Sequence, residues 1–235
     1  MLSEAALSEA IDPLDNVAWS ALTGPQARFA QVNGRAARFD PDVSPFTALA
    51  DSADPAAWRD LADLVGPGTD VFLGGPRLVP PPGWERVGGL SGLQLVDAGI
   101  AGAPDPEAVV LGGADIPEIL DLVERTQPGP FRKRTVELGA YLGIRREGRL
   151  IAMAGERMRV PGWTELSAVC TDPAHRGEGL AARLIGAVVA DIREHGHRPF
   201  LHAAASNTNA VRLYERLGFA VRTPVVFGVY RETTR

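Results

Sequence analysis

A turn with two glycines opens a predicted helix in the C-terminal part of the chain. A predicted strand over residues 165–171 is followed by Asp172-Pro173, and Arg176-Gly177-Glu178-Gly179 then leads into a helix that begins at Leu180. Glycine lets backbone N–H groups approach a ligand closely, and the unpaired N–H groups and dipole of a helix N-terminus favour negative charge. This spacing predicts an anion site, most naturally for a diphosphate.

Two well-known diphosphate motifs do not account for this turn. The phosphate loop of nucleoside triphosphatases needs a lysine after its second glycine, and Lys133 is the only lysine of the chain. A dinucleotide-binding fingerprint needs a third glycine and an acidic residue at the end of the next strand, where this chain has His202. On these residues alone, a structural glycine turn without a ligand stays open as the alternative.

A second group of motif residues follows the next predicted strand. Asn207 lies at a transition from strand to helix, and Tyr214-Glu215-x-Leu217-Gly218-Phe219 ends that helix with a glycine suited to a left-handed cap. Together with Arg176-x-x-Gly179-x-Ala181, these motifs resemble the GNAT superfamily of acetyl-coenzyme A dependent N-acetyltransferases. The resemblance covers residues from about 108 to 231, and the N-terminal half resembles the degenerate half-domain that accompanies some GNAT proteins.

The resemblance implies a site for acetyl-coenzyme A as cosubstrate. In the family, the strand before the glycine turn separates from its neighbour and pairs with the pantetheine arm, a role that falls on Val169, Cys170 and Thr171. Asn207 matches a side chain that hydrogen-bonds the pantetheine. Arg176 opens the pyrophosphate loop, whose backbone N–H groups belong to Gly177, Glu178, Gly179, Leu180, Ala181 and Ala182.

The same resemblance implies direct attack of a neutral amine on the thioester, in a ternary complex and without a metal. Tyr214 matches the residue that protonates the leaving thiolate as general acid. Two residues are candidate bases: Glu165 occupies the strand position used by histone-acetylating members, and His202 replaces a glutamate of members that acetylate protein N-termini. A solvent-facing carboxylate and a hydrogen-bonded core histidine are the respective alternatives.

These residues together predict acetyl transfer to a primary amine of a small molecule or peptide. The alternative is a non-catalytic acyl-coenzyme A sensor or interaction module that keeps the coenzyme cleft. Cys170, a lone cysteine between apolar residues, is expected to be a small buried side chain rather than an acyl-carrying nucleophile.

Hydrophobic spacing predicts the elements that position these residues. In the C-terminal part, strands are predicted over 109–111, 141–145, 150–154, 165–171, 200–204 and 225–230, and helices after Asp115 and over 180–195 and 209–217. In the N-terminal part, helices are predicted over 16–32 and 55–65 and strands over 71–73 and 93–96. The fold class is α/β (α+β), with a mixed, mainly antiparallel sheet of the GNAT type flanked by helices.

A stretch rich in glycine and proline around residues 98–104 predicts a domain boundary at about residue 104. We therefore expect an N-terminal α/β domain over residues 1–104 and a GNAT acetyltransferase domain over 105–235. A homodimer stays open as a prediction, although the N-terminal domain could fill the surface that other GNAT proteins use for dimerisation.

Composition excludes several classes of protein. Hydrophobic residues make up 45% and charged residues 23%, as in folded globular chains, and a single cysteine excludes intramolecular disulfides and cysteine-based zinc fingers. The net charge of −5, without a block of five or more basic residues, argues against nucleic acid as a partner. The acidic start Met1-Leu2-Ser3-Glu4 and the lack of a long apolar window predict neither a signal peptide nor a membrane span, and hence a cytoplasmic protein.

Overall fold

An eight-stranded sheet flanked by helices organises the chain, which a computed structural model describes over residues 12–233. In chain order the elements are α1 (Val17–Leu22), β1 (Ala30–Asn33), β2 (Ala36–Phe39), β3 (Thr47–Leu49), α2 (Pro55–Val65), β4 (Val71–Gly75), β5 (Trp84–Asp97), β6 (Val109–Val110), α3 (Ile116–Thr126), β7 (Tyr141–Arg146), β8 (Arg149–Val160), β9 (Trp163–Thr171), α4 (Leu180–Glu194), β10 (Arg198–Ala204), α5 (Thr208–Leu217) and β11 (Phe219–Glu232). Strands β1 to β3 form a separate small sheet.

The large sheet has the strand order β4-β11-β5-β10-β9-β8-β7-β6. Its neighbouring strands are antiparallel except β9 and β10, which are parallel. A parallel pair needs a connection that returns across the sheet, and α4 provides it. The predicted mixed, mainly antiparallel sheet flanked by helices is confirmed.

The large sheet crosses the boundary predicted near residue 104. Strand β5 of the N-terminal half lies between β10 and β11 of the C-terminal half. It pairs with β11 from Phe219↔Asp97 to Glu232↔Trp84, and with β10 from Phe200↔Val96 to Ala204↔Gly92. The division into two domains stays a prediction, but the backbone ladder of the sheet is shared by both halves.

Helix α4 shows how the apolar pattern of the sequence becomes packing. Its residues Leu184, Ile185, Val188, Val189 and Ile192 have no exposed surface and join one core cluster with residues of the sheet. Glycine at position 196 follows the helix in the left-handed conformation, which ends it as predicted. This packing fixes the first turn of α4 at the edge of β9.

The N-terminal half differs most from the sequence prediction. A single helix was expected over residues 16–32, but α1 ends at Leu22 and β1 begins at Ala30. Gly24-Pro25 explains the break, because proline lacks an N–H donor and disfavours a helical residue before it. Strand β5 is also much longer than the predicted strand over 93–96, whereas the predicted helix 55–65 matches α2.

Helix length and apolarity bear on the membrane prediction. None of the helices described within residues 12–233 combines the length and the apolar character needed to cross a membrane. The segment Met1-Leu2-Ser3-Glu4, on which the prediction about a signal peptide rests, lies outside the described residues.

Candidate active site

A cleft opens where β9 and β10 separate. The parallel ladder between them ends at the pair Leu201↔Leu166, although β9 continues to Thr171 and β10 to Ala204. The free edge of β9 therefore faces the gap, while its other edge stays paired with β8. The resulting cleft has a volume of about 640 Å³ and is lined by the predicted residues Val169, Cys170, Thr171, Arg176, Ala181, Asn207, Tyr214 and His202.

A bulge in β9 shapes the edge of this cleft. Between the pairs Gly155↔Ser167 and Met153↔Cys170, β9 holds one residue more than β8. Ala168 at this point has φ +53°, an unfavourable left-handed conformation for a residue with a Cβ. The bulge interrupts the ladder next to the predicted pantetheine-binding residues, and nothing in the local sequence indicated it.

The glycine turn before α4 has the backbone that an anion cradle requires. Gly177 and Gly179 have φ +86° and +76°, so both need the freedom of glycine. A Cβ added at either position would meet nothing within 4 Å, which leaves the space above the turn open. Leu180 is buried and starts α4, and the first N–H groups of the helix have no partner within it.

Helix α5 brings Asn207 and Tyr214 to the cleft. Asn207 caps the helix, because its Oδ1 accepts a hydrogen bond from the Ala210 N–H at 3.1 Å. Its amide nitrogen is the group left to bind a ligand. Burial of the Tyr214 phenol raises its pKa to about 12, with the neighbouring Cys170 adding to the shift, so this phenol is protonated at neutral pH.

Glu165 lies in a buried ion pair rather than at the cleft surface. Its side chain has no exposed area and accepts two hydrogen bonds from Arg157, at 2.8 and 2.6 Å. Burial raises the pKa of Glu165, but the charge and hydrogen bonds of Arg157, together with His202, outweigh it and hold that pKa well below its usual range. This geometry does not support the prediction that Glu165 itself takes a proton from the acceptor, because its carboxylate is committed to Arg157.

His202 is the predicted base that reaches the cleft. Its Nδ1 lies 2.7 Å from Glu165 Oε1, and its Nε2 lies 3.2 Å from the amide nitrogen of Gln94. Gln94 is held by Arg222, which donates to its oxygen, and by the carbonyl of Leu14, which accepts from its nitrogen. In a neutral ring, this arrangement lets the Gln94 amide nitrogen donate to His202 Nε2 while the Nδ1–H donates to Glu165.

Comparison with solved structures shows the family of the chain. A GNAT-family protein from Novosphingobium aromaticivorans shares 40% sequence identity with the chain, and the two align over 95% of this chain and 100% of the other with a TM-score of 0.87. The chain belongs to the GNAT family.

Other comparisons agree with this assignment. A GCN5-related N-acetyltransferase from Kribbella flavida shares the fold with a TM-score of 0.65 at 20% identity, over 93% of this chain and 96% of that one. A GCN5-related N-acetyltransferase-like protein from Streptococcus suis has a TM-score of 0.54 at 14% identity, over 95% and 94%. The FR47-like protein family matches residues 141–227, and no curated protein matches the chain. As a GNAT protein, the chain is an acyltransferase by family.

Cys170 does not have the properties of a nucleophile in this GNAT cleft. The residue is buried, and desolvation raises the pKa of its thiol to about 11. A thiol with that pKa is protonated at neutral pH, and the protonated form is a weak nucleophile. The side chain therefore fits a packing role, as predicted, while its backbone lies on the free edge of β9.

Sequence reasoning missed three residues that surround the candidate bases Glu165 and His202. Gln94 pairs with His202 across β5 and β10, Arg157 pairs with Glu165, and Phe46 lies under the Arg157 guanidinium at 5.0 Å. Gln94 is a polar residue at an inward position of an apolar strand, and that pattern is a usable signal. Arg157 and Phe46 gave no signal, because only the tertiary fold brings them to Glu165.

Replacing Glu165 by glutamine is expected to lower the free energy of unfolding at neutral pH by about 3 kcal/mol, since it leaves the buried Arg157 charge uncompensated. Because the pKa of Glu165 is lowered from 4.5 in the folded state, its stabilisation is present above pH 4.5 and is lost as the pH falls below that value. Urea denaturation above and below pH 4.5 should show that the free energies of unfolding of the native chain and the variant differ less in acid.

A matched control comes from Glu137, which also accepts two hydrogen bonds from one arginine, Arg134, at 2.7 and 2.9 Å. This pair is exposed, so Glu137→Gln is expected to change stability little. Equal losses for the two variants would contradict the role assigned to burial.

Proposed function

We propose that this protein transfers an acetyl group from acetyl-coenzyme A to a primary amine by direct attack in a ternary complex. The observation that carries the proposal is the separation of β9 from β10 directly beside the glycine turn of α4. The gap offers an unpaired strand edge and the phenol of Tyr214, and its lining residues Arg176 and Ala181 flank the glycine turn. Each of these parts matches one part of the coenzyme.

The described residues fit acetyl-coenzyme A from pyrophosphate to thioester. Backbone N–H groups from Gly177 to Ala182 would hold the pyrophosphate, supported by the dipole of α4. The free edge of β9 over Val169–Thr171 would pair with the amides of the pantetheine arm, and Asn207 would donate to it from the opposite wall. These contacts involve mainly backbone atoms, so the side chain of Glu178 should matter little.

The chemistry asked of the chain is modest. The amine lone pair forms the new N–C bond, the C–S bond breaks, and the proton lost by the amine balances the one gained by the sulfur. A backbone N–H of the bulged edge of β9 would stabilise the negative charge that develops on the carbonyl oxygen. Tyr214, protonated up to a pH of about 12, would donate to the sulfur as it leaves.

His202 is the residue we assign to the amine proton. In the structure, the lone pair of His202 Nε2 accepts a hydrogen bond from Gln94. To take up the proton of the amine, Nε2 would exchange this hydrogen bond for one from the amine. Glu165 then acts as a positioning residue, because it accepts the Nδ1 proton and faces the imidazolium that forms. In this proposal, the general base is a histidine of β10 that is held by side chains of the neighbouring strands β5 and β9.

Replacing His202 by alanine is expected to lower kcat at neutral pH by at least about tenfold, with unchanged affinity for acetyl-coenzyme A. Imidazole added to the assay should restore part of the rate, because it can occupy the space left by the ring. Full activity in the variant would show that the amine loses its proton by another route.

The proposed function is tested by titrating the purified protein with acetyl-coenzyme A in a calorimeter and then following thiol release with a panel of primary amines. Mass spectrometry of the acetylated amine identifies the product. Absence of binding would overturn the proposal, and binding without transfer to any amine would favour a non-catalytic acyl-coenzyme A module.

A further inference from the structure

The acceptor side of the cleft can be identified from the two faces of the sheet. Leu166, Leu201 and Tyr214 belong to the core cluster that contains α4. Phe200 pairs with Glu165 and points to the opposite face, where it packs with residues of the N-terminal half, and His202 follows on the same face. A thioester held in the gap is therefore reached by the amine from the face that carries His202.

Three phenylalanines form a wall on this face. Phe46 and Phe72 come from the N-terminal half and Phe227 from β11, and all three line the cleft. The ring centroids of Phe46 and Phe72 are 4.9 Å apart, and those of Phe72 and Phe227 are 6.3 Å apart with nearly parallel planes at 12°. His202 meets the Phe227 ring at 5.4 Å, so the wall adjoins the assigned base.

Close packing fixes the position of this wall. A Cβ at Gly74 would lie 3.0 Å from the Phe227 ring, and one at Gly92 would lie 2.8 Å from it, so both strands leave room for that ring. Arg157 covers Phe46 at 5.0 Å from the ring centroid. The rings thus form a preorganised surface beside the base.

The wall offers no negative charge to a ligand. Within the described residues 12–233, no aspartate or glutamate lines the cleft. Arg157 borders the wall, but its charge is neutralised by the buried Glu165. A second ammonium group on an acceptor would therefore lose water without gaining a counter-charge, whereas an aromatic ring would find apolar faces.

We propose that the acceptor is a primary monoamine carried on an aromatic body, which packs against the partly exposed rings of Phe72 and Phe227 in this wall while its nitrogen reaches His202. This inference rests on the proposed acetyl transfer and names the class of its substrate. Polyamines and lysine-rich peptides are disfavoured, because their further positive charges have no acidic partner among the described residues that line the cleft.

A panel of four amines tests the proposal. 2-Phenylethylamine is compared with 2-cyclohexylethylamine to isolate the aromatic ring, and hexylamine with 1,6-diaminohexane to isolate the second charge. We expect kcat/KM to favour the first of each pair, by about threefold for the ring and about tenfold for the absence of the second charge. Equal values within both pairs, or preference for the diamine, would overturn the proposal.

A variant at the rim of the cleft tests the charge argument without disturbing the core. Leu90 lines the cleft, pairs with Phe227 across β5 and β11, and is 46% exposed, so a polar residue there should leave the fold intact. Leu90→Glu is expected to raise kcat/KM for 1,6-diaminohexane relative to hexylamine by about tenfold, while the neutral control Leu90→Gln leaves the ratio unchanged. An unchanged ratio in both variants would contradict the placement of the acceptor.

Calorimetric binding of the same amines to protein saturated with coenzyme A separates this inference from the proposed function. Preferential binding of 2-phenylethylamine without any transfer would support the acceptor wall and overturn the acetyltransferase proposal. Transfer to all four amines at equal rates would support the acetyltransferase proposal and overturn the acceptor wall. Absence of both binding and transfer would overturn both.

Discussion

Replacing Tyr214 by phenylalanine is expected to lower kcat by about 100-fold, with a change in the Kd of acetyl-coenzyme A below about twofold. In the proposed mechanism, the phenol donates to the sulfur as negative charge develops there, so its loss would raise the barrier and leave ground-state binding intact. Burial raises the pKa of this phenol to about 12, which keeps its proton in place across the range in which proteins are assayed.

The measurement is a steady-state thiol-release assay combined with calorimetric titration of acetyl-coenzyme A. Tyr230→Phe is the matched control, because Tyr230 is also buried but packs with Trp58 and Trp84 away from the cleft. We expect the control to keep full activity. A Tyr214→Phe variant with undiminished kcat would remove this residue from the mechanism.

Replacing Gly179 by glutamate is expected to weaken the binding of acetyl-coenzyme A by more than about 100-fold, since a carboxylate would enter the space assigned to the pyrophosphate. Among the described residues, no atom beyond its chain neighbours lies within 4 Å of a Cβ at this position, so the side chain would meet a ligand bound there rather than the protein. The left-handed backbone, with φ +76°, adds a cost of about 1–2 kcal/mol to folding.

Gly162 provides the control for both the strain and the charge. It has φ +75°, and an added Cβ would likewise meet no described residue within 4 Å beyond its chain neighbours, but it lies in the turn between β8 and β9, at the opposite end of β9 from the glycine turn. Gly162→Glu should therefore show a similar loss of thermal stability with native affinity for acetyl-coenzyme A. A similar loss of affinity in both variants would mean that the effect comes from destabilisation and that the turn at Gly179 holds no pyrophosphate.

Local patterns in the sequence predicted most of the helices and strands that border the cleft proposed for the coenzyme. The apolar spacing after Gly179 predicted a helix over 180–195, and α4 spans Leu180–Glu194. Asn207 and Gly218 marked both ends of α5, where the structure shows a side-chain cap and a left-handed glycine. Such signals are readable because capping, turns and amphipathic faces depend on residues within a few positions of one another.

The same local reading failed where pairing is distant along the chain. It extended the first helix to residue 32, whereas β1 begins at Ala30 and pairs with β2. It also gave no sign that the strand predicted over 93–96 begins at Trp84 and lies between β10 and β11. Short apolar runs do not reveal their partners, since strand pairing is decided by the packing of the whole sheet.

The sequence alone determined the family resemblance, the glycine turn and the residues predicted to bind the coenzyme, because these depend on motifs of fixed spacing. Only the tertiary structure decided the partners of the candidate bases. It buried Glu165 against Arg157, placed the amide nitrogen of Gln94 beside Nε2 of His202 and brought Phe46 and Phe72 to the cleft. These contacts join residues from distant parts of the chain, and burial of a shared core is the force that brings them together.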